Sequence, residues 1–241
     1  MGAYNWNWPI LLKDPYFGWI VSGFANTCLL AVFAWAIAFP LGSVVGMVRT
    51  ADNRVLRLAG TAYVEVFRNI PLLVQMFLWY YVVPEMLPHD WARWVRRDMP
   101  YPQFTTALIC LGLYTASRVA EQVRSGIEAI PRDQRFAAMA VGLTPPQVYR
   151  YVLMPVAYRT VVPPLTSDFL GVFKNSSLAL TIGVLELTSQ ARQIEEYTFA
   201  AFEAFGVSTA LYCMVTGLVI VLMRSVEKRT RIAGTIAVGA R

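Results

Sequence analysis

A long stretch without charged side chains, residues 17–48, constrains the fold of this chain more than any other feature. It contains no Asp, Glu, Lys or Arg, and about 20 apolar residues are enough for a helix to cross the hydrocarbon core of a bilayer. The stretch therefore predicts a membrane-spanning helix with length to spare for tilt. The whole chain is 56% hydrophobic and 15% charged, whereas soluble domains carry about 25% charged residues. We expect an integral membrane protein.

Four further apolar stretches follow the first. The predicted membrane spans are residues 17–48, 59–83, 103–123, 156–185 and 204–223. The sequence therefore predicts an all-α integral membrane protein with five transmembrane helices, organised as one transmembrane domain over residues 1–241. Pro40, Pro71 and the Pro163-Pro164 pair lie inside these spans, where prolines predict kinks or broken turns. The fourth span is expected to be the least regular.

Basic residues are concentrated on one side of the predicted spans. They follow the first and fifth spans and surround the connection between the third and fourth, while fewer lie in the opposite loops. Because cytoplasmic loops are enriched in Lys and Arg, we expect a bacterial inner (plasma) membrane protein with its N-terminus outside and its C-terminus in the cytoplasm. The same bias explains the net charge of +6. We expect membrane lipid as a partner and no nucleic acid, since no basic recognition stripe lies in a soluble region.

A polar block between the third and fourth spans, residues 131–155, carries two helix signals. Asp133 is a candidate N-cap of a short helix, and Gly142 stands where a left-handed C-terminal cap would end it. Thr144 and Gln147 have the spacing of a capping box, which predicts the start of a second helix. The block is therefore predicted to form a bent pair of helices on the cytoplasmic side.

This block resembles the cytoplasmic coupling segment of ABC-importer permeases. The residues at the spacings of that motif are Ala137, Ala138, Gly142, Val152, Met154 and Pro155. The chain departs from the motif at Phe136, which replaces the usual acidic residue, and at Met154, which replaces Leu. The resemblance implies that the block docks on an ATPase. The residues that it assigns to this coupling are Phe136, Ala137, Ala138, Gly142, Leu143 and Pro155.

Other segments extend the resemblance over most of the chain. Residues 63–75, 114–131 and 174–184 are similar to signatures of the polar amino acid branch of these permeases. Residues 148–164, together with the third-span sequence around Arg118, are most similar to glutamate/aspartate importer permeases. The resemblance implies the transmembrane domain of a type I ABC importer that carries glutamate or aspartate.

Membership of this family implies that the chain is half of a translocation pathway. The implied partners are a second permease subunit, either a related chain or another copy, two ATPase subunits, and a periplasmic or extracellular amino acid binding protein. The sequence has no GxxxxGK[ST] phosphate loop. We therefore expect no cofactor on this chain, no catalytic residues and no metal site, with ATP and Mg²⁺ bound by the partner ATPase.

Charged residues inside the spans are candidates for substrate contact, because such side chains usually face protein or water. Glu65 and Arg68 are three residues apart, as are Arg118 and Glu121, so each pair can form a salt bridge on one helix face. Arg118 has a second interpretation. Many relatives in the family have Ala-Tyr where this chain has Ser117-Arg118, and a guanidinium can hold the additional carboxylate of an acidic amino acid.

A polar tract, residues 174–177, follows the proline-containing part of the fourth span. It either lines the pathway, as polar groups of discontinuous helices do in transporters, or packs helices through small residues. Asp168 is a candidate partner of Lys174, although the offset is poor for a helix. The predicted substrate-pathway residues are Arg68, Arg118, Glu121, Lys174, Asn175, Ser176 and Ser177.

Two other classes of function compete with an importer permease. An ion-coupled secondary carrier or channel would share the apolar spans, but it would not need the bent cytoplasmic block, and we see no inverted repeat. An integral membrane enzyme has less support, because the single histidine, His89, lies in the loop 85–102 and no catalytic constellation is apparent. That loop also contains Trp91 and Trp94, which predict a short helix anchored at the outer membrane interface. Contact with a periplasmic partner is the alternative interpretation of this loop.

Overall fold

The structure is a computed structural model that describes residue 4 and residues 6–230. The α-helices, numbered in chain order, are α1 (Tyr16–Arg49), α2 (Arg54–Asn69), α3 (Leu72–Phe77), α4 (Val83–Met86), α5 (His89–Arg93), α6 (Pro102–Glu128), α7 (Arg132–Ala140), α8 (Pro145–Val148), α9 (Met154–Ser176), α10 (Leu187–Thr198) and α11 (Ala201–Thr230). The 3-10 segments are Trp8–Leu12 and Ser177–Ile182, and the π-helical turns are Leu78–Val82, Trp94–Asp98 and Tyr149–Leu153. No strand occurs among the described residues, so the all-α prediction is confirmed.

The membrane character of the fold is clear in its longest apolar helices. By length and hydropathy, α1 and α11 each suffice to cross a membrane. Two bent pairs also qualify if each is one span: residues 54–69 with 72–86, bent by 101°, and residues 145–182 with 187–198, bent by 51°. These four elements overlap the first, fifth, second and fourth predicted spans. Helix α6 coincides with the third, and the division into five spans stays a prediction.

Helices α1 and α6 pack closely along the centre of the fold. Gly42 and Gly46 of α1 face the backbone of α6, where a Cβ on Gly42 would come within 2.6 Å of the Ala116 carbonyl oxygen and one on Gly46 within 2.8 Å of the Ala120 carbonyl oxygen. Small residues permit such close approach between helices in membranes. The arrangement buries Ala116 and Ala120 completely. Helix α6 is therefore the central helix, and charged residues of neighbouring helices contact it.

The prolines inside the predicted spans differ in whether they interrupt a helix. Pro71 separates α2 from α3, as expected for a broken span. By contrast, α9 continues through Pro163 and Pro164, and α1 continues through Pro40. Because a proline removes one backbone donor, a kink at these positions stays a prediction. The fourth span is irregular at its two ends instead, in the π-turn before α9 and the 3-10 segment after it.

The bent pair predicted for residues 131–155 is present, with one correction. Helix α7 begins at Arg132 after Pro131, so Asp133 lies in the first turn and is not the N-cap. Gly142 has φ +91° and follows the end of α7, as predicted. The Thr144 N–H donates to Gln147 Oε1 at 2.8 Å, which confirms the capping box at the start of α8. A bent connection therefore separates α7 from the continuous helical region that contains α8 and α9.

The loop at residues 85–102 contains two short helical turns. Residues 85–102 contain α5 and the π-turn Trp94–Asp98, which confirms the short helix. Both Trp91 and Trp94 are exposed, and their place at the outer membrane interface stays a prediction. The predicted cytoplasmic C-terminus lies outside the described residues.

Candidate translocation pathway and coupling surface

Arg118 and Asp168 form an ion pair between α6 and α9. The Arg118 Nε donates to Asp168 Oδ1 at 2.7 Å. The Asp168 side chain is 1% exposed and the Arg118 side chain is 48% exposed. Asp168 Oδ2 has no hydrogen-bond partner among the described residues. A buried carboxylate thus orients a guanidinium that remains accessible from outside the helix bundle.

This geometry corrects two sequence predictions. Arg118 pairs with Asp168 rather than with Glu121, because its side chain projects towards α9 and away from its neighbour one turn along α6. For the same reason, Asp168 is neutralised by Arg118 and not by Lys174. The two partners belong to different helices, so a spacing within one segment could not have identified the pair.

Glu121 is instead the centre of a three-residue cluster. Its Oε2 accepts a hydrogen bond from Arg49 Nη1 at 2.6 Å and lies 3.3 Å from Arg68 Nη1. The predicted pair of Glu65 with Arg68 does not form: Glu65 is exposed, and Arg68 reaches α6 instead. The cluster joins α1, α2 and α6. From the sequence, Arg49 is predicted only as one of the basic residues that follow the first span, so its place in this cluster was not predicted.

The polar tract at residues 174–177 lies where α9 changes into the 3-10 segment. The Ser176 hydroxyl is buried and donates to the Phe173 carbonyl oxygen at 2.7 Å, while the Ser177 hydroxyl donates to the Lys174 carbonyl oxygen at 2.7 Å. These hydroxyls therefore donate hydrogen bonds to carbonyl oxygens in the turn that ends α9. Lys174 is exposed and Asn175 is half-buried, so these two side chains are the ones available for other contacts.

The coupling block presents an apolar face outward. Phe136 is 62% exposed and Val141 is 79% exposed, and Met139 between them is also exposed. Ala138 points the other way and is buried in a cluster with Val148 and Leu153. Ala138 therefore attaches α7 to the body of the protein, while Phe136 and Met139 on α7 and Val141 just after its end leave large apolar side chains exposed to a partner. Of the remaining predicted coupling residues, Ala137, Gly142 and Pro155 are exposed and Leu143 is half-buried.

Two residues of this block, Tyr149 and Arg135, make polar contacts with the turn between α1 and α2. The Tyr149 hydroxyl donates to the Thr50 carbonyl oxygen at 3.0 Å, and Arg135 forms an ion pair with Asp52. Arg49, the residue before Thr50, contacts Glu121 of α6. A continuous set of contacts therefore runs from the coupling block through residues 49–52 to the central helix. These pairs are far apart in sequence and carry no local signal.

Comparisons with known proteins agree with this arrangement. A family model described as "Binding-protein-dependent transport system inner membrane component" matches residues 38–232. The chain is 45% identical over 240 residues to the glutamate/aspartate import permease protein GltJ of Escherichia coli strain K12, covering 96% of this chain and 98% of that protein. It is 32% identical over 213 residues to the probable glutamine ABC transporter permease protein GlnM of Bacillus subtilis strain 168, covering 88% and 94%.

Solved structures show the same fold. The crystal structure of an amino acid ABC transporter with histidines matches with a TM-score of 0.77 at 28% identity, covering 94% of this chain and all of that chain. An inward-facing structure of the MetNI methionine ABC transporter matches with a TM-score of 0.72 at 20% identity, covering 91% of this chain. The second likeness concerns the fold alone.

Proposed function

Because the chain belongs to the family of binding-protein-dependent transport system inner membrane components, we propose that it imports acidic amino acids, glutamate and aspartate, as the permease subunit of an ATP-driven transporter. The observation that carries this substrate class is the accessible Arg118 guanidinium held by the buried Asp168. The 45% identity to a glutamate/aspartate import permease supports the same class.

Arg118 suits an acidic substrate for a chemical reason. Glutamate and aspartate carry one carboxylate more than neutral amino acids, and a guanidinium binds a carboxylate through up to two parallel hydrogen bonds. Asp168 accepts from Nε, so it fixes the plane of the guanidinium while the Nη atoms lie outside that bond. It also balances the charge of Arg118, which limits how tightly an anion is held and favours release after transport.

The other pathway residues have supporting roles in this proposal. Arg68 and Glu121 lie beside the pathway and hold α2 against α6. Lys174 and Asn175 offer polar side chains at the end of α9, whereas Ser176 and Ser177 stabilise the turn that positions them. A second permease subunit, related or identical, would complete the pathway on the open side of Arg118.

The energy source in this proposal is a separate pair of ATPase subunits. The apolar face formed by Phe136, Met139 and Val141 would enter a cleft on one ATPase, which binds ATP and Mg²⁺. Movement of that subunit would pass through the contacts of Tyr149 and Arg135 to the α1–α2 turn. We place this face in the cytoplasm, with the N-terminus outside a bacterial plasma membrane, where a binding protein delivers the substrate.

Substrate-dependent ATP hydrolysis by the purified assembly tests the proposal. The assembly is reconstituted with its binding protein, and hydrolysis is measured with glutamate, aspartate, glutamine and arginine. We expect stimulation by the two acidic amino acids and little by the others. Equal stimulation by glutamine or arginine would contradict the substrate class. Uptake that does not require ATP but stops when the proton gradient is dissipated would favour the ion-coupled carrier.

A further inference from the structure

A basic cavity of about 410 Å³ lies beside the coupling block. The ends of α1 and α6, the first turns of α2 and α7, and the π-turn after α8 form its walls. The charged residues that line it are Arg49, Arg57, Arg132, Arg135 and Glu128. Its volume lies within the range of about 300–1,000 Å³ that is usual for small-molecule sites.

The charge of the cavity is positive even after its ion pairs are counted. Glu128, the one acidic residue in the wall, pairs with Arg124 at 2.8 Å. Arg49 is balanced by Glu121 and Arg135 by Asp52. Asp133 stands nearby in the first turn of α7 and is exposed. Arg57 and Arg132 have no ion pair within the described part of the chain, so two guanidinium charges remain to attract an anion.

Two further features of the wall require an acceptor. Arg49 is 5% exposed, and its Nε has no hydrogen-bond partner among the described residues. A buried donor without an acceptor is costly. In addition, α7 begins in the wall after Pro131 with no side-chain cap, and the free N–H groups of a helix N-terminus favour an anion. An anion in the cavity would satisfy the free N–H groups at the start of α7, and it would reach Arg49 Nε, which is enclosed by protein, only if the Arg49 side chain shifted.

We propose that this cavity binds a phosphate group. A planar guanidinium group can donate two parallel hydrogen bonds to two oxygens of one phosphate, and the Tyr149 hydroxyl in the same wall offers a further polar contact. The source that fits best is the headgroup of an anionic phospholipid, because Ile127, Ile130 and Leu153 give the cavity an apolar portion that suits the glycerol end of a lipid. Basic pockets between membrane helices on the cytoplasmic side bind such headgroups.

Lipid retention by the purified assembly tests this site without reference to transport. The assembly is equilibrated with phosphatidylglycerol or with phosphatidylcholine, and bound lipid is counted by native mass spectrometry. The variant Arg57→Gln/Arg132→Gln removes the two unpaired charges. We expect it to weaken retention of phosphatidylglycerol by roughly tenfold or more, with little change for phosphatidylcholine. The variant Arg57→Lys/Arg132→Lys keeps the charge and should retain an intermediate amount.

A matched control loses the same charge elsewhere on the proposed cytoplasmic side. Arg224 and Lys228 are exposed near the end of α11, so Arg224→Gln/Lys228→Gln should keep the wild-type retention. A second arm asks whether inorganic phosphate, compared with chloride, raises the melting temperature of lipid-depleted protein. Stabilisation by phosphate that Arg57→Gln/Arg132→Gln abolishes, with no selective lipid retention, would support a phosphate site filled from solution.

Three results would overturn the proposal. The first is equal retention by the wild type and by Arg57→Gln/Arg132→Gln, with no effect of phosphate. The second is an equal loss in the α11 control, which would indicate nonspecific surface attraction. The third is retention by the lysine variant no better than by the glutamine variant when both melt at the wild-type temperature. None of these results depends on the substrate or on ATP hydrolysis.

Discussion

Arg118 Nε lies 2.7 Å from Asp168 Oδ1, and the two side chains differ sharply in exposure. The carboxylate is enclosed between α6 and α9, while the guanidinium extends from the bundle. A fixed and accessible cation of this kind can select an anion, because its orientation is set before the anion arrives. The pair thus links the packing of two helices to the choice of substrate.

Replacing Arg118 with Tyr should weaken uptake of glutamate and aspartate by about ten- to a hundredfold in kcat/KM, the usual scale for a lost charged hydrogen bond. Copurification of the subunits is measured alongside uptake, because Arg118→Tyr leaves the buried Asp168 carboxylate without the cation that neutralises it and is expected to weaken the contact of α6 with α9. Arg118→Lys is the matched variant and should be intermediate, since it keeps the charge but not the planar fork. Unchanged acidic amino acid uptake by Arg118→Tyr would remove this residue from substrate selection.

The ion pair of Arg135 with Asp52 predicts a measurable effect on coupling. Asp52→Arg and Arg135→Asp should each raise the ATP hydrolysed per substrate transported by roughly twofold, since an exposed pair contributes up to about 1 kcal/mol. The double swap should restore the ratio because the pair can form with reversed charges. If the double swap is as defective as the sum of the single changes, the contact does not transmit movement.

Gly142 gives a prediction that separates backbone conformation from packing. A Cβ at Gly142 meets nothing within 4 Å, but the residue has φ +91°. Gly142→Ala should therefore strain the end of α7 by about 1 kcal/mol and lower the coupling of ATP hydrolysis to uptake, with normal membrane insertion. Gly171→Ala is the control, because a Cβ there also meets nothing within 4 Å and the residue is helical. If Gly142→Ala and Gly171→Ala show the same coupling of ATP hydrolysis to uptake, the positive φ of Gly142 is not needed for coupling.

The close contact of α1 with α6 predicts a loss of stability on α1. Gly42→Ala places a Cβ within 2.6 Å of the Ala116 carbonyl oxygen, and overpacking of this kind costs about 1–3 kcal/mol. The melting temperature of the purified assembly should fall. Gly18→Ala, at the other end of the same helix, adds a Cβ that meets nothing within 4 Å and should leave it unchanged. A fall of the same size in both variants would contradict this packing.

Local signals in the sequence were sufficient for the local structure. The capping box at Thr144 and the positive φ of Gly142 depend on residues a few positions apart, so their chemistry can be read directly from the chain. Pro71 likewise breaks a span as predicted. Pro163 and Pro164 do not, because the surrounding turns of α9 preserve the helix, and the sequence alone does not show that support.

Contacts between distant segments could not be predicted in this way. Arg118 and Glu121 have a suitable helical spacing, but tertiary packing gives Arg118 a buried partner on α9 and gives Glu121 partners on α1 and α2. The sequence predicted Arg49 only as one of the basic residues after the first span, although it is the buried member of the Glu121 cluster. The choice among several oppositely charged partners depends on how the helices pack, which no single segment encodes.

Glutamate uptake into proteoliposomes, with and without the ATPase subunit, tests the central claim most directly. The assembly of this chain with its partner permease is reconstituted with binding protein and glutamate on one side and Mg²⁺-ATP on the other. We predict uptake that requires the ATPase subunit and ATP and that persists when a protonophore collapses the proton gradient. Full uptake by the permease without the ATPase subunit would contradict the account.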